Sequence, residues 1–524
     1  MNEFIMRHQK SIRGVLSGFD RLRFRGTLRW LANTAGMKNF LWTVRVLLKQ
    51  FGTYSMDITN QIKTATMEIA EEARRPVVYV DNSHERKEDI ARRIAKSDGV
   101  SEGLIAVLTA VEPCMSYEVG PNAKTKRLEL RSKRRKCLHQ YFYFQDREWG
   151  LMHVRLQTWF PFNMFVCLNG REWLSRQMDA AGIRYRQRDN CFVDVEDLDQ
   201  AQKLLMDQTQ LDWNTRLTQL AQRVHPTLDR VFNQIPETLM QYYWSLEESE
   251  WATDVMFKSP TTLDRLYPRL IQHGIQTLSC PDVLRFLGKR LPTHGGVHGN
   301  FEGEVITDLK KRPEGMRLKH TLNHNSLKTY NKQHSVLRIE TTINNTRDMK
   351  VYRRPETEPE GKLTWRRLRK GVADIPRRVE ISQAANERYL TSLATVETEA
   401  SLNDLIKPLC QPVIWQGRRA RALNPWSAKD GKLLELINHG EFMINGFRNR
   451  DLRVLLYGEA ANPTEERRQS AAVTRSLRLL RAHQLVKKVP KTHRYVLTQQ
   501  GVRSVTSILS AREANARKLT ELAG

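Results

Sequence analysis

Residues 12–30, IRGVLSGFDRLRFRGTLRW, set apolar side chains at Phe19, Leu22, Phe24 and Leu28 with basic ones between them. Successive side chains of a strand point to opposite faces, so such a segment folds only where one face is packed and the other stays wet and positively charged. It reads as a β-hairpin with a cationic edge. The same bias runs through the chain: 85 Lys and Arg stand against 58 Asp and Glu, a formal net charge of +27, while 40% of residues are hydrophobic. Disorder needs low hydrophobicity as well as charge, so the composition describes a folded protein whose partner is a polyanion, nucleic acid first. The six cysteines include no C-x-x-C pair, which points to reduced thiols rather than a zinc ribbon or a disulfide scaffold. No apolar run reaches the roughly 18 residues of a membrane span, and the opening MNEFIMRHQKSIRG lacks the apolar stretch of a secretory signal. The expectation is a cytoplasmic protein with no membrane partner.

The order of predicted elements is that of an α+β, mixed fold: an N-terminal α/β and antiparallel β region, a central helical block and a C-terminal winged helix. A helical stretch runs to about residue 73. RRPVVYVD (74–81) reads as a buried strand, HERKEDIARRIAKSDG as an amphipathic helix ending at Gly99, and GLIAVLTAVEPC (103–114) as a second strand. KTKRLELRSKRRK (124–136) is a basic segment with one acid, followed by strand-like LHQYFYFQ and MHVRLQTWFPFNMFVCLNG joined through the turn DREWG. From 198 to 275 the pattern is helical and includes PETLMQYYWSLEESEWATDVMF; 290–312, rich in Gly and His, reads as a loop; 315–345 reads as three short strands separated by Asn-containing turns. The domain reading is 1–197 an α/β plus basic β-hairpin region that binds nucleic acid, 198–290 a helical block, 291–410 a basic sheet plus helix, and 411–524 a winged helix. In that last segment three helical stretches precede the hairpin LVKKVP-KT-HRYVLT, and 21 basic side chains stand against 9 acidic ones. Its third helix carries Arg468, Thr474, Arg475 and Arg478 toward a groove, and its wing offers Lys487, Lys488 and Arg494 to phosphates.

Two constellations carry chemistry. Asp20 sits in the first strand, Asp81 and Glu112 end the next two, and Asp254 lies with Glu247 and Glu250 at helical spacings of three and four. Carboxylates brought together by a sheet are how metal-dependent phosphodiesterases hold Mg²⁺, so Asp20, Asp81, Glu112 and Asp254 are candidate ligands, while an ion pair with Arg21 or Arg23 is the plainer account of Asp20. The second constellation is Lys319, His320, Lys328, Tyr330, Lys332, Arg338 and Glu340 within GMRLKH…SLKTYNK…VLRIETT. A strand with Tyr beside Lys, hairpinned to a strand with Arg-x-Glu, resembles a hairpin of rolling-circle replication initiators. That resemblance implies Glu340 as a metal ligand and Tyr330 as nucleophile on a DNA phosphate. It departs from the initiators in having no His-hydrophobe-His triplet, since His153 stands alone in MHVRL. The plainer account is a basic sheet that grips a backbone through Lys319, His320, Lys328 and Arg338. Further phosphate contacts are expected from Arg23, Arg25, Arg134 and Arg135. The aromatics of HQYFYFQDREWGLMHVRLQTWFPF suit either base stacking or a core.

The motifs GFDRLRFRGTL, VEPCMSYEV, KCLHQYFYF, VRLQTWFPF, NGREWL, EWATDVMF and RLKHTLNHNSLKTYNKQHSVLRIETTIN resemble a widespread, uncharacterised family of bacterial proteins that occur in several near-identical copies and carry winged-helix labels. The multi-copy habit implies a mobile genetic element. Two functions follow as expectations. One is Mg²⁺-dependent DNA strand cleavage or transfer, with Asp20, Glu112, Glu340 and Tyr330 as catalytic residues. The other is a non-catalytic protein, either a ribonucleoprotein component on structured RNA or a winged-helix regulator on DNA, using segments such as 124–136 and 366–378. Both leave self-association open. Neither G-x-x-x-x-G-K-[ST] nor G-x-G-x-x-G is present, which sets a nucleotide-cofactor enzyme third.

Overall fold

The computed structural model describes residues 2–81, 85–224, 241–276, 278, 280–288, 305–312, 315–354, 358, 360–394, 402–438, 442, 446–489 and 492–513. It is a mixed α/β structure in two compact units, one formed by Arg13–Phe257 with Ser335–Gln383, the other by Met1–Ile12, Lys258–His334 and Ala384–Gly524. After α1 (Asn2–Arg7), the chain enters the first-named unit along β1 (Ile12–Leu28). There follow α2 (Thr34–Thr43), α3 (Phe51–Glu72), β2 (Val77–Tyr79), α4 (Lys87–Ser97), β3 (Gly103–Pro121), β4 (Leu128–Asp146), β5 (Gly150–Gln157) and β6 (Met164–Asn169). Then come α5 (Gly170–Ala180), β7 (Tyr185–Arg188), β8 (Cys191–Val195), α6 (Leu198–Asp207), α7 (Trp213–Val224) and β9 (Tyr242–Phe257). The second unit takes α8 (Pro260–Gln276), α9 (Cys280–Phe286), β10 (Ile306–Arg312), β11 (Gly315–Leu322) and β12 (Asn325–Lys332). The chain returns with β13 (Val336–Ile343), β14 (Lys350–Arg353), β15 (Thr364–Arg367) and the first turns of α10 (Ile375–Leu393). The C-terminal part holds α11 (Leu402–Ile406), β16 (Val413–Trp415), β17 (Arg418–Ala420), α12 (Ala428–Ile437), β18 (Phe447–Arg448), α13 (Asn449–Tyr457), α14 (Pro463–Ala482), β19 (Val486–Lys488), β20 (Arg494–Leu497) and α15 (Gln499–Glu513).

In the first-named unit the strands run in the order β13-β9-β1-β6-β5-β4-β3-β2. The β2–β3 pair is parallel, and β3–β4, β4–β5, β5–β6, β6–β1 and β9–β13 are antiparallel, so the sheet is mixed. One face carries Phe19, Leu22, Phe24, Phe142, Val154 and Val166 into a core shared with Phe40 of α2, Ile58 and Ile62 of α3, Leu174 of α5 and Leu217 of α7. The spacing of four between Ile58 and Ile62 puts both on the stripe of α3 that meets the sheet. Helix starts are capped where polar loop residues allow: Asn33 accepts from Gly36 N, and Asn169 accepts from Arg171 N and Glu172 N.

Four expectations are corrected. Residues 12–28 form one long strand rather than a hairpin: Gly14, Gly18 and Gly26, the residues that could have turned the chain, instead allow close packing, by Leu198, Leu205 and Trp244 respectively. The basic segment 124–136 supplies most of the first half of β4, which pairs with β3 from Gly103↔Gln145 to Pro121↔Leu128 as one ribbon. Residues 242–257, inside the expected helical block, are strand β9, whose C-terminal half is buried throughout. A strand covered on both faces loses its alternation and cannot be told from a helix by period. Within the stretch expected to be a loop, 306–312 is strand β10, while 289–304 lies outside the described residues. Among the described residues no helix is long and apolar enough to cross a membrane.

Candidate metal centre and the cavity beside it

β9, β1 and β13 are neighbours in the sheet, and each brings acids to the same place. Oxygens of Asp20 on β1, Glu250 on β9 and Glu340 on β13 all lie within 4.8 Å of one another, and the three residues are 6%, 9% and 2% exposed. Carboxylates so close, and out of water, repel one another unless a cation or a proton lies between them. The donor set is oxygen alone, without imidazole or thiolate, which suits a hard divalent cation such as Mg²⁺, Mn²⁺ or Ca²⁺ and not Zn²⁺ in a structural site. The group could therefore hold a metal ion.

Two buried guanidinium groups frame it. Arg338 on β13 reaches Asp254 on β9 with Nε at 2.6 Å and Nη2 at 2.9 Å, touches Asp20 Oδ1 with Nη1 at 3.1 Å, and donates to the Asn190 carbonyl at 2.6 Å. Arg171, the second residue of α5, sets Nη2 3.0 Å from Asp254 and donates to the Ala252 carbonyl. Both are fully buried. Burial works against the charge on Arg338, yet Asp254 and then Asp20 outweigh it and hold its pKa well above the ordinary value. On Arg171 burial prevails and lowers it, with Asp254 opposing and the Arg338 charge adding to the fall. Asn190 Nδ2 donates to both oxygens of Asp20, at 3.1 and 3.2 Å. Arg21 lies at the rim with Nε 3.7 Å from Glu250, whose charge raises the pKa of this arginine.

A cavity of about 310 Å³ opens beside Asp20. Its wall includes Arg21, Arg23, Arg155, Tyr141, Tyr143 and His153. These face one another because β1, β6, β5 and β4 are paired in register, with Arg23↔Cys167, Cys167↔His153 and His153↔Tyr143 along one row. Arg155 lies over the Phe165 ring at 4.2 Å. Burial takes His153 down to about 4, so its imidazole is neutral at pH 7, and pushes the Cys167 thiol up to about 11.

The remaining sequence-predicted residues fall elsewhere. Asp254 is close, but it is engaged by Arg338 and Arg171 instead of standing in the carboxylate group. Glu112 is held by Lys87 Nζ at 2.9 Å, by the Tyr141 hydroxyl at 2.6 Å and by Arg155 at 3.4 Å. Burial tends to raise its pKa, but these donors prevail and lower it, so it serves as an ion-pair anchor instead of a ligand. Asp81 is exposed, two residues past β2. Tyr330 belongs to the second unit, where it is buried with Lys332 Nζ 5.0 Å from its ring, and is not a member of the carboxylate group. On β11 and β12 Lys319 stands opposite Lys328 and Arg317 opposite Tyr330. Burial first, then the charge of Lys328, lowers the pKa of Lys319. His320, expected on this basic surface, points to the other face: it is 2% exposed, contacts Thr307 Oγ1 at 2.9 Å and Tyr389 Oη at 3.4 Å, and burial lowers it to about 4.

Arg23 pairs with Glu248 at 3.8 Å, Arg25 donates to Asn163, Arg134 is exposed on β4, and Arg135 donates to the Tyr117 carbonyl. Arg475 and Arg478 lie on α14, and Lys487, Lys488 and Arg494 on β19 and β20. Sequence reasoning placed Glu250 on a helix and did not reach Arg171, Asn190 or Arg155. The aromatic and Thr/Val content of β9 was the available signal for a strand. Compared with known proteins, the chain matches no family model, no curated protein and no solved structure.

Proposed function

We propose that this protein is a nucleic-acid-processing component of a mobile genetic element that cleaves or transfers a DNA strand with Mg²⁺ held by Asp20, Glu250 and Glu340. The observation that carries the reading is the meeting of these three buried carboxylates on adjacent strands beside a cavity walled by arginines and tyrosines. Mg²⁺ held there would supply Lewis-acid polarisation of a phosphodiester and activation of water as the nucleophile; Tyr330, which is not a member of the carboxylate group, has no part in this reading. Asp20, Glu250 and Glu340 supply the hard oxygen ligands. Arg338 and Asn190 hold the Asp20 carboxylate in place from behind. Arg21, Arg23 and Arg155 hold neighbouring phosphates. The C-terminal elements α12, β18, α13, α14, β19 and β20, with the sheet order β18-β20-β19, support the winged-helix reading, in which Lys487, Lys488 and Arg494 meet duplex phosphates.

The test incubates the purified chain with single- and double-stranded DNA and RNA from the ends of its own locus, in Mg²⁺, in Mn²⁺ and in EDTA. DNA is cut with either metal and not in EDTA. Glu340→Gln and Glu250→Gln lower the rate at least about 100-fold while binding stays intact or tightens. Absence of cleavage on every strand form, or equal rates in both variants and the parent, refutes the enzymatic reading.

A second reading rests on the β3–β4 ribbon, where Arg131, Lys133, Arg134 and Lys136 are exposed along one strand. Such a ribbon suits the backbone of a folded RNA without any cleavage. A single discrete transcript co-purifying with the protein, with no DNA cut, favours it.

A further inference from the structure

The helix α14 carries Arg475 and Arg478, both exposed, and the face that holds them borders a concavity. The short hairpin of β16 and β17 lies beside it, and the two flank an open cavity of about 350 Å³. The hairpin is fastened: the Arg481 guanidinium lies 4.8 Å over the Trp415 ring, and His483 Nε2 donates to the Arg421 carbonyl at 2.8 Å. Six cations line the cavity and no carboxylate does. Arg421 is held by Asp430 through two contacts of 2.7 and 2.6 Å. The other five, Arg418, Arg419, Lys429, Arg475 and Arg478, form no ion pair among the described residues. Tyr457, at the end of α13, also lines the wall and is 45% exposed.

Five uncompensated cations around one concavity repel one another, an arrangement that an anion relieves. Arginine in the majority favours a planar or tetrahedral oxyanion taken by paired N–H donors, which means phosphate or carboxylate. The exposed ring at the wall adds a stacking surface of the kind unpaired bases use. The volume lies at the lower end of the range of about 300–1,000 Å³ for small-ligand pockets, too confined for a duplex edge and suited to one nucleotide unit. We infer that this cavity binds a single phosphorylated nucleotide, presented by an unpaired strand or strand end, and that Arg475 and Arg478 serve it instead of a duplex groove. The site stands apart from the proposed carboxylate centre in function: its binding needs no metal, and all measurements below are made in EDTA, where cleavage is silent.

The full chain is titrated into a fluorescein-labelled single-stranded oligonucleotide and into its blunt duplex, read by anisotropy over a range of salt. Arg475→Ala with Arg478→Ala weakens single-strand binding at least about tenfold and lowers its log–log salt slope by about 1.4, two phosphates at about 0.7 each, while duplex affinity changes less than about threefold. Tyr457→Ala costs about tenfold without changing the slope, and Tyr457→Phe restores it because a ring face is kept. Adenosine monophosphate in millimolar excess displaces the strand, and inorganic phosphate at the same concentration does not. Equal losses on duplex and single strand would mean that α14 reads a groove after all, and no loss on either would remove the cavity from binding. Displacement by inorganic phosphate as effective as by the nucleotide would reduce it to a general anion trap. If the α14 double variant does not fold by circular dichroism, Arg418→Ala with Arg419→Ala on the exposed hairpin carries the same expectations and the same refutations.

Discussion

Arg338 is the side chain on which the acidic group depends. Its guanidinium, with no exposure, satisfies Asp254 through two hydrogen bonds and Asp20 through one. Removing one partner of a buried ion pair leaves the other charge desolvated, at a cost of about 3–5 kcal/mol, whereas the pair as a whole adds little to stability. Arg338→Met should therefore lower the unfolding free energy by about 3–5 kcal/mol in a urea titration. A loss under about 1 kcal/mol would show that water reaches Asp20 and Asp254 and that the arginine does not organise them. The sequence offered a good share of this site. Asp20, Arg338 and Glu340 were legible as chemistry-bearing residues because charged side chains inside apolar strand patterns stand out, and Asp254 was reached through a helical spacing that the structure replaces with strand β9. Their roles were not legible: Arg338, read as a phosphate contact, is the internal counter-charge, and Glu112, read as a ligand, is an anchor for Lys87 and Tyr141.

At the scale of elements, the junction of β6 and α5 sets where β1 lies. A Cβ on Gly170 would sit 2.2 Å from the Phe19 carbonyl oxygen, so helix α5 approaches the backbone of β1 more closely than any side chain allows. Asp20 is the next residue along that strand. Gly170→Ala is expected to cost about 1–3 kcal/mol, the usual range for overpacking, and to weaken divalent-metal binding in calorimetry, because relief of the clash displaces β1. Unchanged metal affinity in a destabilised variant would uncouple the junction from the carboxylate group. The elements themselves differed in how readable they were. The strands at 315–322, 325–332 and 336–343 have half-wet or turn-bounded patterns and match the expected three-strand run. Strand β9 was misread because its C-terminal half is buried on both faces, where the period of two that marks a strand is lost.

Over the whole molecule, the net charge of +27 sets the ionic-strength dependence of any polyanion complex. The residues proposed to meet duplex phosphates, Lys487, Lys488 and Arg494, belong to one small hairpin, β19 with β20. Replacing all three by Ala should weaken duplex binding and reduce the salt slope by about 0.9 for each phosphate no longer neutralised, while the single-strand slope assigned to the α14 cavity stays as it was. An unchanged duplex slope would take the hairpin out of the interface.

By itself the amino-acid sequence determined the surplus of cations in a chain hydrophobic enough to fold, from which the polyanion partner is proposed, and it determined many of the strands, through local alternation. Only the tertiary structure decided which acids meet. Asp20, Glu250 and Glu340 come together because β1, β9 and β13 are neighbours in one sheet. Alternation says which face of its own strand a residue occupies, but strand order depends on packing between segments hundreds of residues apart, which no local pattern encodes. The same holds for α14, whose arginines share one cavity with the β16–β17 hairpin, a neighbour that no local pattern in the helix announces.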